Sequence, residues 1–190
     1  CLSFIFMKFN EDSRVKIPAI IHCMRLGFEY ISLKNQNSII NETTNIFSEV
    51  FLSTIQKINP GLTASEAKQA LDEISLALEN EDLGRAFYKK LISKSGVKLI
   101  DFENFNQNAF HVVTELTYKN GEDEFRPDIT LLINGMPLIF IEVKKPNNRE
   151  GLLAEHKRIQ SRFSNKKFRN FPNITQLMIF SNNMEYDESS

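Results

Sequence analysis

The chain has 190 residues, 42% of them hydrophobic and 25% charged, with a formal net charge of −1. This is the size and balance of one globular domain, and near-neutrality excludes binding to nucleic acid through overall charge, so any basic surface has to be local. No apolar run reaches the roughly 18 residues of a membrane helix, no G-x-x-x-x-G-K-[ST] or H-E-x-x-H motif occurs, and the two cysteines, Cys1 and Cys23, build no disulfide framework, so a reduced, cytoplasmic protein with no membrane partner is expected.

The opening "CLSFIF" reads as a strand. Apolar residues from Val15 to Leu26 then recur at helical spacing, which predicts a helix over 10–27 with Pro18 an awkward interior residue and Gly27 the stop. "FEYISL" reads as a short strand. Positions 41–80 predict helix in two pieces, broken at Asn59-Pro60-Gly61, with a capping box opening the second at Thr63-Ala64-Ser65-Glu66. A third helix is expected over 82–93, and the whole block, about 38–95, reads as a helical insertion. From Val97 the period changes: "VKLIDF" and "AFHVVTELTY" read as strands, and "KNGEDEF" as a polar turn. Residues 129–133 and 137–143 predict two strands joined at Asn134-Gly135, a strong hairpin signal. A basic amphipathic helix over 151–168 and a last strand over 174–181 complete an α/β order with a mixed sheet and a core at about 108–181.

The charges of this hairpin are the candidates for chemistry. Its second strand is apolar on both faces and so is expected at the centre of a sheet. Glu142 and Lys144 share a face because they are two apart. A three-residue turn would set Asp128 opposite Glu142, and a two-residue turn would leave them diagonal. Carboxylates this close repel unless a cation lies between them. Lys144 is one candidate, and Mg²⁺, which takes one or two carboxylates with water and phosphate oxygens, is another. Such an ion polarises a phosphodiester, and Lys144 beside it would neutralise charge on the attacked phosphate. The plain alternative is a structural salt bridge at a strand end.

"FRPDITLLINGMPLIFIEVKKPN" resembles the nuclease core of the restriction (R, HsdR) subunit of type I restriction-modification enzymes, whose signature runs R-P-D, an apolar strand, N-G-x-P, a second apolar strand and E-x-K. That family belongs to the PD-(D/E)xK nuclease superfamily, and the resemblance implies a restriction-endonuclease-like α-β-β-β-α-β core. It implies a metal at Asp128 and Glu142 and a catalytic Lys144. It implies further site residues at Glu11, on the opening helix, and Gln160, on the basic helix. The family's Q-x-x-x-Y motif is incomplete: position 164 is Ser, and the nearest aromatic is Phe163. The resemblance further implies Mg²⁺-dependent cleavage of double-stranded DNA in host defence. An ATP-driven motor is expected further along the subunit, with methyltransferase and specificity subunits as partners.

Arg158, Arg162, Lys166 and Arg169 follow spacings of four, four and three, which predicts one basic stripe on the helix, adjoined by Lys145. The stripe suits sequence-independent contact with DNA phosphates, or else a solvated helix face. Two other assignments fit the same residues. One is a PD-(D/E)xK nuclease of repair or mobile elements, and the other is a non-catalytic DNA-binding or assembly module of the same fold.

Overall fold

The computed structural model describes residues 15–35, 40–41, 43–120, 123–144, 154, 156–161 and 165–181. The opening strand read at "CLSFIF", Glu11, Lys145, Arg162, Phe163 and Ser164 lie outside the described residues. Helix α1 (Ile17–Arg25) carries Pro18 in its first two positions, where a missing N–H costs nothing, so the proline starts this helix rather than breaking it. Strand β1 (Glu29–Ile31) follows.

Helices α2 (Ser48–Ile58), α3 (Ala64–Leu78) and α4 (Arg85–Leu91) form the helical block. The capping box is present: Thr63 Oγ1 accepts the Glu66 N–H at 3.2 Å, and Glu66 Oε2 accepts the Thr63 N–H at 2.8 Å. Helix does not begin at Asn41, because the Asn41 side chain accepts the N–H groups of Thr43 and Thr44 and holds a turn. "VKLIDF" is not a strand either. Asn108 bonds both the N–H and the C=O of Asp101 at 2.9 Å, which folds the segment into a loop, and Leu99 and Ile100 are buried against the helices.

Strand β2 (Phe110–Thr114) leads into a ribbon, β3 (Tyr118–Asn120) with β4 (Asp123–Phe125), where the sequence suggested only a turn. Strands β5 (Ile129–Ile133) and β6 (Met136–Val143) form the hairpin. Helical residues 156–161 (α5), a short helix α6 (Asn170–Ile174) and strand β7 (Leu177–Ser181) complete the described chain. The sheet order is β1-β2-β5-β6-β7. The outer pairs are parallel and the inner two antiparallel. Taken in sequence, α1, β2, β5, β6, α5 and β7 make the expected α-β-β-β-α-β core in a mixed α/β fold.

The basic helix is not continuous to 168. Asn165 is extended (φ −85°, ψ 109°), and its side chain accepts the Lys167 N–H at 3.0 Å, opening a separate 3₁₀ turn at Lys166–Phe168. Lys166 and Arg169 therefore do not continue the face that carries Arg158.

Both sheet faces are covered. Val15, Cys23, Ile129, Leu131, Ile141 and Val143 pack beneath α1. On the other face Phe140 meets Ile159, Phe168 and Phe171, while Met136 and Leu138 join the core of the helical block. Strand β6 is buried along its length except for half-buried Ile139, as a central strand must be.

Candidate active site at the hairpin end

The hairpin turn is a two-residue one. Asn134 (φ 52°) and Gly135 (φ 77°) both take the left-handed conformation of a type I′ turn, and Ile133 pairs with Met136. That turn alone would leave Asp128 and Glu142 diagonal. A bulge between Leu131 and Leu132 adds one residue to β6, so the ladder continues as Leu131–Ile139, Thr130–Phe140 and Ile129–Ile141. The next step in this register sets Asp128 across from Glu142. Side chains alternate along strands, so Asp128 follows Thr130, and Glu142 follows Phe140, onto the face shared with α5. Directly opposed residues have Cβ atoms about 5 Å apart.

Glu142 is 5% exposed. Its Oε1 lies 3.3 Å from Lys144 Nζ and 3.6 Å from the Arg158 guanidinium. Asp128 Oδ2 accepts the Val143 N–H at 2.9 Å, which ties it to the strand that carries Glu142. Lys144 is fixed by its own N–H, donated to Ser181 O at 2.9 Å, so β7 anchors the strand end. The site thus gathers two carboxylates, a lysine and an arginine at one end of a buried sheet.

Gln160 is on α5 and exposed, one position from buried Ile159. Lys166 pairs with Glu81 at 3.1 Å, and Arg169 bonds Glu81 and the Glu79 carbonyl, so both reach toward the α3–α4 connection. Arg158 lies against the Glu142 carboxylate, closer to the site than a plain backbone-contact stripe implies.

Two residues at this end escaped the sequence reading. Glu115 follows β2, and its N–H donates to Asp128 O at 3.2 Å. Its carboxylate accepts from Lys16 Nζ at 2.8 Å and lies 3.8 Å from Arg126. The hydrogen bond from Lys16, and then its charge, hold the Glu115 carboxyl below its ordinary value. Local sequence carries no signal for either residue, because the link depends on β2 pairing with β5.

The family model for the type I restriction enzyme R protein N terminus matches residues 8–187. The chain belongs to this family. The chain is 33% identical over 167 residues to a protein of Methanocaldococcus jannaschii provisionally named the type I restriction enzyme MjaIXP endonuclease subunit, covering 75% of this chain and 16% of that protein. It is 30% identical over 121 residues to the type I restriction enzyme HindI endonuclease subunit of Haemophilus influenzae, covering 53% of this chain and 11% of that protein. The chain therefore spans less than a fifth of the length of these relatives. No helix among the described residues is long and apolar enough to cross a membrane.

Proposed function

We propose that this chain is the nuclease domain of a type I restriction enzyme R subunit and that it hydrolyses phosphodiester bonds of double-stranded DNA with Mg²⁺. The observation that carries the reading is the register that opposes Asp128 and Glu142, with Lys144 on the Glu142 carboxylate. The donor set fits the ion. Among the described residues no three His, Cys, Asp or Glu side chains cluster as a metal site, and Asp128 and Glu142 supply the one or two carboxylates that Mg²⁺ uses beside water and phosphate oxygens. Lys144 and Arg158 neutralise the Glu142 carboxylate, and a bound ion would take the place of Arg158 there.

When bound, Mg²⁺ supplies charge neutralisation at the phosphate and a more acidic water. Asp128 and Glu142 would hold the ion. Lys144, whose ammonium lies on Glu142, would bond a non-bridging phosphate oxygen and stabilise the charge that grows there during attack. Arg158, half-exposed, can exchange Glu142 for a DNA phosphate. Water adds to phosphorus, one ester P–O bond breaks, and the products are a phosphate monoester and an alcohol. An ATP-driven motor elsewhere in the subunit and the methyltransferase and specificity subunits would deliver the DNA, in the cytoplasm of the host.

The test is cleavage of plasmid DNA by the full-length subunit assembled with its partners, alongside its ATP hydrolysis. Glu142→Gln and Lys144→Ala should each lower cleavage by at least about 100-fold, the scale of losing one charge-stabilising group, with ATP hydrolysis unchanged. Full cleavage by Glu142→Gln ends the reading.

A further inference from the structure

Asp128 lies one step beyond the last residue pair of the hairpin, where no backbone pair of the β5–β6 ladder holds its main chain. Pro127 precedes it and has no N–H to donate. The Val143 N–H holds the Asp128 carboxylate from β6 at 2.9 Å, and a second residue, Glu115, holds its backbone. Glu115 is a non-glycine residue at φ 57°, a conformation that persists only where the surroundings impose it and that clusters at functional sites. This conformation follows the last β2 pair, Thr114 with Ile129, and the Glu115 N–H donates to Asp128 O at 3.2 Å. The Glu115 side chain holds Lys16 Nζ at 2.8 Å, and the Lys16 side chain is only 11% exposed. Its other oxygen lies 3.8 Å from Arg126, two residues before Asp128. Glu115 therefore grips the Arg126-Pro127-Asp128 segment from both ends and ties it to the start of α1.

We infer that Glu115 is a positioning residue: with Lys16 and Arg126 it sets the Asp128 carboxylate opposite Glu142 at the spacing a divalent cation needs. This rests on the nuclease reading above. It also gives the arginine of R-P-D a role, as the partner of Glu115 rather than of DNA. Groups that orient a metal ligand without touching the metal typically change affinity 10- to 100-fold when removed.

The experiment titrates Mn²⁺ into the full-length subunit without nucleotide and follows free Mn²⁺ by electron paramagnetic resonance. Wild type, Asp128→Ala, Glu115→Ala, Glu115→Gln and Lys16→Met are compared, each with a thermal melt. The expected result is one site lost in Asp128→Ala and weakened about tenfold or more in Glu115→Ala. Glu115→Gln, which keeps an acceptor for Lys16, should fall between Glu115→Ala and wild type. If Glu115→Ala does not fold, a weakened site in Glu115→Gln and Lys16→Met supports the inference, and wild-type affinity in both overturns it. An Asp128-dependent site that Glu115→Ala binds as tightly as wild type overturns the inference and leaves the nuclease reading standing. No Asp128-dependent site at all overturns both.

Discussion

Asn134 is fully buried in the hairpin turn, and its amide is satisfied on both sides. Nδ2 donates to Leu99 O and Asn108 Oδ1, and Oδ1 accepts the Ala109 N–H, each at 2.8 Å. Gly135 is confined as tightly: a Cβ there would lie 2.7 Å from Phe47 O and 2.8 Å from Phe51 N, both backbone atoms. The Asn-Gly pair thus makes the turn and also seats α2 and the 99–109 loop. Asn134→Ala leaves the Leu99 carbonyl and the Ala109 N–H without this partner, while Asn108 Oδ1 keeps the Asp101 N–H; at about 1–3 kcal/mol for each group left unpaired, a loss of about 2 kcal/mol or more is expected. Gly135→Ala, strained at φ 77° and blocked by backbone, should also destabilise. Urea denaturation checks both, and wild-type stability in either variant contradicts the packing described.

Glu115 gives a pH dependence whose sign is fixed. The Lys16 hydrogen bond lowers its carboxyl in the folded state from an ordinary value of 4.5. A depressed folded-state value contributes stability above the unfolded value and loses it as pH falls through the folded one. Glu115→Gln should therefore be less stable than wild type near pH 7. The gap should shrink below the ordinary value as the wild-type carboxyl protonates. Urea melts at neutral and acid pH measure the gap, and an equal gap at both contradicts the Lys16 pairing.

Among the elements, the hairpin was legible because its signals are local: an Asn-Gly turn between two apolar runs. The bulge was not. It depends on how β5 meets β6, and it decides whether Asp128 opposes Glu142. "VKLIDF" misled because an apolar run is equally at home in a buried loop once Asp101 and Asn108 satisfy its backbone. The basic stripe misled because Asn165 was read through as helix, although asparagine often starts a new helical segment. The break separates the arginines. Arg158 lies by Glu142, whereas Arg169 donates to Glu79 O and Glu81. Arg158→Ala should lower the salt slope of DNA binding by about one, the signature of one lost phosphate contact. Arg169→Ala should leave that slope alone and lower the melting temperature slightly, since partly exposed pairs are worth at most about 1 kcal/mol. The reverse pattern would restore the single stripe.

At the scale of the molecule, the helical block shares its core with the sheet. Met136, Leu138 and Ile174 sit in one cluster with Phe51, Ile55, Ile74, Leu78 and Phe87, and the Phe47 N–H donates to Gly135 O at 2.9 Å. The turn end of the hairpin is thereby fixed by helices, while the charged end is framed by β2, β7 and α5. This packing was invisible in the sequence, where the block carries capping and periodicity but no sign of its partner. The two ends of the β5–β6 hairpin thus differ: one is packed into the fold and the other gathers the charges of the proposed site. The most direct measurement is anomalous diffraction from crystals of the full-length subunit grown with Mn²⁺. A peak is expected beside the Asp128 and Glu142 carboxylates, with Arg158 moved off Glu142. Crystals with no peak there, and with Arg158 and Lys144 still on Glu142, would contradict it and leave the cluster a structural ion pair.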